Sequence, residues 1–258
     1  MAKILQNSTP WKARASSNLR QLIAKVLHFF LKLLVPKLRY YPEHSTLISN
    51  ATYSPWHIDK QFLKVMQAVK SYTLLDNMRL YEIWQLANQV TNLPGHAIEV
   101  GSWQGGSGCL IASSLAQNNK ETKVFLCDTF SGVVKASSRD LFYRGGELAS
   151  NEQVVAELVK RMQLQNVTIL PGIFPEETGA ELEKYLFKFA HIDVDVYQSA
   201  RDAFEWLFPR LTQGAIVVFD DYGFFSTNGI REYVDELQGR TDLIIIRNLN
   251  GQAVVIKR

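Results

Sequence analysis

His191-Ile192-Asp193-Val194-Asp195-Val196-Tyr197 and, further along, Val217-Val218-Phe219-Asp220-Asp221-Tyr222-Gly223 share one design. Each is a short apolar run that reads as a buried strand and passes straight into paired carboxylates. Placed side by side, two such strands bring up to four acids to one rim of a sheet. Carboxylates crowded in that way repel one another unless protons or a cation intervene. Oxygen donors suit Mg²⁺, Ca²⁺ or Mn²⁺ rather than zinc, and no cysteine–histidine spacing suggests a zinc site.

Outward from this pair, strands and helices alternate from His96 onward. Ala97–Val100 reads as a strand, followed by the turn Gly101-Ser-Trp-Gln-Gly-Gly-Ser-Gly108 and a helix through Leu115. Lys123–Cys127 is a second strand, ended by Asp128. Then come a helix over Glu152–Met162, a strand over Val167–Leu170, a helix over Glu176–Tyr185 and a strand over Phe187–Asp193. A helix over Tyr197–Leu211, a strand over Ala215–Asp220 and a helix over Gly229–Leu237 follow. Leu243–Arg247 and Ala253–Lys257 flank Asn250-Gly251, a hairpin signal. The pattern predicts an α/β fold: a mostly parallel, Rossmann-like sheet with helices on both faces, plus one antiparallel strand from the C-terminal hairpin.

Ligands of such sheets bind outside the carboxyl ends of the strands. The first strand ends in Glu99-Val-Gly101 and the second in Asp128, where an acid can chelate a ribose diol. Glycines let a ligand touch the backbone. Turn and acid together point to an adenosine cofactor, NAD or S-adenosylmethionine. The spacing is not G-x-G-x-x-G, and Glu99 just before the turn fits a methyltransferase. The bland alternative is that the glycines only allow tight strand–helix packing.

Six stretches resemble the macrocin O-methyltransferase family, in its order: Tyr72–Tyr81 (YTLLDNMRLY), Glu99–Ser107 (EVGSWQGGS), Asp128–Gly132 (DTFSG), Pro171–Pro175 (PGIFP), His191–Ser199 (HIDVDVYQS) and Asp220–Gly223 (DDYG). The resemblance runs roughly from Ser54 to the C-terminus. It implies a class I methyltransferase fold, S-adenosylmethionine and Mg²⁺. By motif position it makes Asp193, Asp220 and Asp221 the metal ligands and Asp195 the general base, with Asp193 beside it in the catalytic set. Glu99, Gly101, Ser102, Gly105, Ser107, Asp128, Thr73 and Arg79 are implied to surround the cofactor. Val194 stands where the family commonly has glycine and Gln198 where it has glutamate; Val194 would narrow the acceptor pocket. Ser131–Ser150 is expected to cover the site as a mobile lid, with Arg144, Gly145 and Gly146 as hinge or acceptor contact, and it carries no histidine to act as base.

Plainer roles compete at several positions. Asp195 could cap the helix that follows it, Asp221 could be a loop acid, Tyr222 reads as packing and His191 as a core histidine. The expected activity is methyl transfer to a hydroxyl of a sugar or polyol, on a natural product or glycan. A lipid-linked or surface glycan is an alternative acceptor. A non-catalytic nucleotide-binding scaffold would not need the full set of acids, and a NAD oxidoreductase lacks a Tyr-x-x-x-Lys constellation.

The 258 residues, 47% apolar and 21% charged, suit a globular domain with an extension. The division expected is a cationic arm at 1–40, a helical cap at 41–95 and a cofactor-binding catalytic domain at 96–258. A net charge of +3 gives no reason to expect nucleic acid. Lys3, Lys12, Arg14, Arg20, Lys25, Lys32, Lys37 and Arg39 all precede the first acid, Glu43, so the basicity belongs to the arm. Asn18–Val35 reads as an amphipathic helix stopped by Pro36. Its charges argue against a spanning helix, and no A-x-A-like site suggests a cleaved signal. The arm suits packing on the domain or a second subunit in a homodimer, or peripheral contact with anionic lipid. Cys109 and Cys127 fall in apolar contexts and read as buried free thiols. That reading places the protein in the cytoplasm, with the arm able to meet the inner membrane face. Asp59–Tyr72 and a helix capped by Asp76 complete the cap.

Overall fold

The computed structural model describes residues 10–34, 44–45, 49 and 51–258. The chain divides into two compact units, 1–54 and 55–258. In the first, helix α1 spans Pro10–Leu34. Proline fits the first position of a helix because the missing N–H would be unbonded there anyway. The side chains described, from Asn18 on, include ten large apolar ones between Leu19 and Leu34 that are 40–78% exposed. Among the described residues no helix is long and apolar enough to cross a membrane.

The second unit begins with α2 (Lys60–Val69) and α3 (Asn77–Gln89). Asp59 and Asp76 cap them, each accepting two backbone N–H bonds from the first turn, which satisfies donors the helix itself leaves open. β1 (His96–Val100), α4 (Gly106–Ala116), β2 (Val124–Asp128), α5 (Glu152–Arg161), β3 (Val167–Pro171) and α6 (Gly179–Leu182) follow. After them come β4 (Phe187–Ile192), α7 (Tyr197–Leu207), β5 (Leu211–Phe219), α8 (Asn228–Glu236), β6 (Leu243–Arg247) and β7 (Ala253–Lys257). The seven strands run in the order β3-β2-β1-β4-β5-β7-β6. The first five are parallel, and β7 enters antiparallel between β5 and β6. The hairpin therefore adds two strands, with only β7 reversed.

Strand side chains alternate between two cores. Ala97, Leu126, Phe189 and Val218 join Phe62, Leu80, Trp84, Leu110 and Val155 of α2 to α5 on one face. Ile98, Phe125, Val217 and Phe219 join Leu182, Phe204, Tyr233 and Val234 of α6 to α8 on the other. Fully burying a side chain of this size contributes roughly 1.5–3 kcal/mol, so both faces are closed by many such contacts. The helices expected as a separate cap thus share a core with β1 and α4. Two helices are shorter than their sequence suggests. α7 gives way to a 3₁₀ turn at Phe208–Arg210, because Pro209 removes a donor. α6 keeps only four residues, since Glu177 turns back to accept from Ile173 N at 2.7 Å.

Candidate active site

Four parallel strands end side by side, and their exits build the site. β1 leaves through Gly101, whose φ of 88° is open to glycine. A Cβ there would lie 1.8 Å from the Asp193 carbonyl oxygen. The backbone ladder carries on past β4, where Asp193 N donates to Val100 O at 2.9 Å, and past β5, where Asp220 N donates to Ile192 O at 3.0 Å. Gly105, at φ 81°, starts α4. The exits frame one cavity of about 300 Å³, in the range of small-molecule sites. Thr73, Arg79, Gly101, Ser102, Ser107, Asp128, Asp193, Asp195, Asp220 and Asp221 all line it.

Two of the residues expected around a cofactor stand outside that lining. Gly105 serves the turn, packed against Val155. Glu99 is wholly buried behind the cavity, with Oε1 2.9 Å from His191 Nδ1. It points to the α4 side of the sheet, where strand alternation sends it. Arg79 faces the acids instead: it pairs with Asp220 and Asp76 and lies over the Phe224 ring.

At the nucleotide end, Asp128 accepts from Trp103 N and Phe130 N, each at 2.7 Å. Burial pushes this carboxyl up against those bonds. Ser102 Oγ beside it is buried with no partner among the described atoms. Glycine turn, unpaired hydroxyl and carboxylate fit an adenosine cofactor.

At the acidic end, one oxygen from each of Asp193, Asp220 and Asp221 lies within 4.8 Å of the others. Burial raises Asp193 well above the carboxylate range, reinforced by Asp220 and Asp221. Burial likewise raises Asp221, helped by Asp195 and Asp220. Asp220 goes the other way: burial would raise it, but nearby His191, with Arg79 and the Gln252 hydrogen bond, holds it low. A hard cation would relieve this crowding, and three carboxylates with the neighbouring acid fit one.

Asp195 does not cap α7. Its φ is 65° and its N–H donates to Asp221 Oδ2 at 3.1 Å. The residue before the helix is Val196, and the N–H of Tyr197 is bonded by Asp140 Oδ1 at 2.9 Å. The carboxyl of Asp195 is pushed up to about 6 by burial, with Tyr143 as hydrogen-bond partner working against it. Tyr143 belongs to 131–150, which is tied to α7 by Asp140 and to α8 by Asn228, through Leu141 N and Arg139 O. Arg144 and Glu147 close this loop on itself through its own backbone.

Asp140, Tyr143 and Gln252 have no motif to announce them. The signal for Asp140 is an acid in a loop before a helix that lacks its own cap. Gln252 donates to Asp220 Oδ1 at 2.8 Å from the hairpin. Val194 lines the cavity.

The fold is that of the class I methyltransferases. The solved O-methyltransferase NovP superimposes with a TM-score of 0.63 at 24% identity, over 72% of this chain and 82% of its own. A calicheamicin methyltransferase does so at 0.61 and 18%, over 81% and 99%. The macrocin-O-methyltransferase (TylF) family matches residues 49–254, and the chain belongs to it. A Streptomyces olivaceus protein, 8-demethyl-8-(2,3-dimethoxy-alpha-L-rhamnosyl)-tetracenomycin-C 4'-O-methyltransferase, is 32% identical over 64% of this chain and 65% of its own length. Demethyldecarbamoylnovobiocin O-methyltransferase of Streptomyces niveus is 28% identical over 67% and 70%. The chain thus spans about two thirds of the length of these curated relatives.

Proposed function

We propose that the protein transfers the methyl group of S-adenosylmethionine to a hydroxyl of a sugar-like small molecule, with Mg²⁺ or a similar cation held by Asp193, Asp220 and Asp221. The observation that carries this is the acid triad and the glycine–Asp128 end sharing one cavity. Family membership supports methyl transfer, and the rhamnosyl acceptor named for the Streptomyces olivaceus relative supports a sugar. When bound, the cation would lower the pKa of an acceptor hydroxyl. The chain's residues do the rest. Asp128 and the turn at Gly101 orient the donor, which fixes the line of attack. Asp195 receives the hydroxyl proton on its carboxylate. Val134, Leu148 and Phe224 add apolar surface to the cavity lining.

Calorimetric titration of S-adenosylmethionine, with NAD as control, tests the donor. The wild type is expected to bind the sulfonium cofactor and not NAD, and Asp128→Ala to weaken it at least about 30-fold, the loss of two charged hydrogen bonds. Binding of NAD instead would overturn the reading.

The exposed apolar face of α1 supports a second element, contact with an anionic lipid surface. Lys25 and Lys32 lie on the opposite, cationic side, and α1 has no acid in its first turn. Flotation with vesicles of equal phosphatidylcholine and phosphatidylserine is expected to carry the protein, and Val26→Asp with Phe30→Asp to abolish this. Unchanged flotation of the double variant would remove the lipid from the account and leave a protein partner for the helix.

A further inference from the structure

Glu99, His191 and the residue after β5, Asp220, stand on adjacent strands and face the same side of the sheet. Glu99 is in register with His191, and Asp220 N bonds to the neighbour of His191, Ile192. All three are at most 1% exposed. His191 Nδ1 is 2.9 Å from Glu99 Oε1, and Nε2 is 3.7 Å from Asp220 Oδ1. Nε2 has no hydrogen-bond partner among the described atoms, and neither has Glu99 Oε2. A histidine retained only for packing would be cheaper as an apolar residue of the same size. Here both edges of the ring instead meet acids, one of them in the metal-binding triad.

We propose that His191 is a positioning residue for the cation, anchored by Glu99 and aimed at Asp220. Glu99 fixes the plane of the ring under α4, where Gly108 leaves room: a Cβ there would meet Glu99 Oε2 at 2.5 Å. The opposite ring edge, with Gln252 at 2.8 Å, confines Asp220 Oδ1. The carboxylate cannot then swing away from Asp193 and Asp221, and the entropy of assembling three ligands falls. Groups that orient metal ligands in this way are typically worth 10- to 100-fold in metal affinity. Glu99 thus acts on the cation through His191, not on the methyl donor.

The inference rests on the cation reading above, so the experiment separates the two. Free Mn²⁺ is counted by electron paramagnetic resonance during titration of wild type, His191→Phe and His191→Gln, each protein also being titrated with S-adenosylmethionine. The wild type is expected to take up one Mn²⁺. His191→Phe should weaken Mn²⁺ about 10- to 100-fold while donor affinity stays within about threefold, and His191→Gln, which keeps a donor, should recover part of the loss. Mn²⁺ affinity within twofold of wild type in His191→Phe, or donor affinity falling in parallel, would overturn the inference alone. A wild type that takes up no Mn²⁺ would overturn the cation reading as well. Should His191→Phe not fold, Glu99→Gln serves: it preserves shape, and a Mn²⁺ loss of about three- to tenfold is expected, with no change overturning the proposal.

Discussion

Asp193→Asn destroys methyl transfer and at the same time raises the melting temperature of the metal-free protein. If Asp193 holds the proposed cation, its loss should remove several kcal/mol of activation of the hydroxyl, about 10³-fold or more in rate. The gain in stability follows from the raised carboxyl, which burial and its two acidic neighbours create. A group whose folded pKa is raised stabilises the fold below its unfolded value, near 3.8, and that contribution is lost as pH rises through the folded value. At pH 7 the metal-free protein therefore holds a repulsion that asparagine removes. A relief of ~1–2 kcal/mol corresponds to about 3–6 °C in a unit of this size. Asp220→Asn has the opposite sign. Its carboxyl is held low by His191 and Arg79, so its stabilisation is present above 3.8 and is lost as pH falls through the folded value. The variant takes one of the two acids from each of Arg79, which keeps Asp76, and His191, which keeps Glu99, and melts lower. The advantage of Asp193→Asn should shrink as the pH is lowered from 7 toward 4, as the wild-type acids take up protons. Differential scanning fluorimetry with and without Mg²⁺ checks both signs, and equal shifts for the two variants would exclude this division of charge.

Gly101→Ala is expected to cost far more than Gly146→Ala, although both glycines sit near the same φ, 88° and 87°. Strain in the left-handed region accounts for ~1–2 kcal/mol at either site. At Gly146 that is all, since nothing lies within 4 Å of the position a methyl would take, and a fall of about 5 °C is expected. At Gly101 the methyl would stand 1.8 Å from a carbonyl oxygen of the β4 exit. Main chain cannot rotate away as a side chain can, so β1 and β4 must part at the place proposed for cofactor and cation. Either no soluble protein forms or the melting temperature drops by more than about 10 °C, with Mn²⁺ and S-adenosylmethionine binding lost together. Similar melting curves for the two variants would mean that the β1 exit yields more than a packed sheet should.

What the sequence reveals and conceals follows from the reach of each interaction. Asp59 and Asp76 are legible as caps because a cap acts on the next three residues. The strand exits at Asp128, Asp193 and Asp220 are legible because an apolar run ending in acid is a local pattern. Asp195 misleads for the same reason: an acid before a helix looks like a cap, but the backbone at φ 65° turns it away, and Asp140, distant in sequence, does the capping. Glu99 has the family motif around it, yet strand alternation sends its side chain to the α4 side, outside the cavity lining. Arg79, Tyr143 and Gln252 converge on the acids from a helix, a loop and a hairpin. Only the assembled sheet brings them there.

Cys109 and Cys127, the only two cysteines of the chain, are both buried, and burial pushes both thiols far up from their ordinary range. Thiolate is the form that reacts with maleimides, so the folded protein is expected to react with such reagents only slowly. One cysteine placed at exposed Ala149 would take a fluorophore alone, beside the cavity, with no native thiol to remove first. The emission of that dye could then follow the 131–150 segment as donor, cation and acceptor are added one at a time.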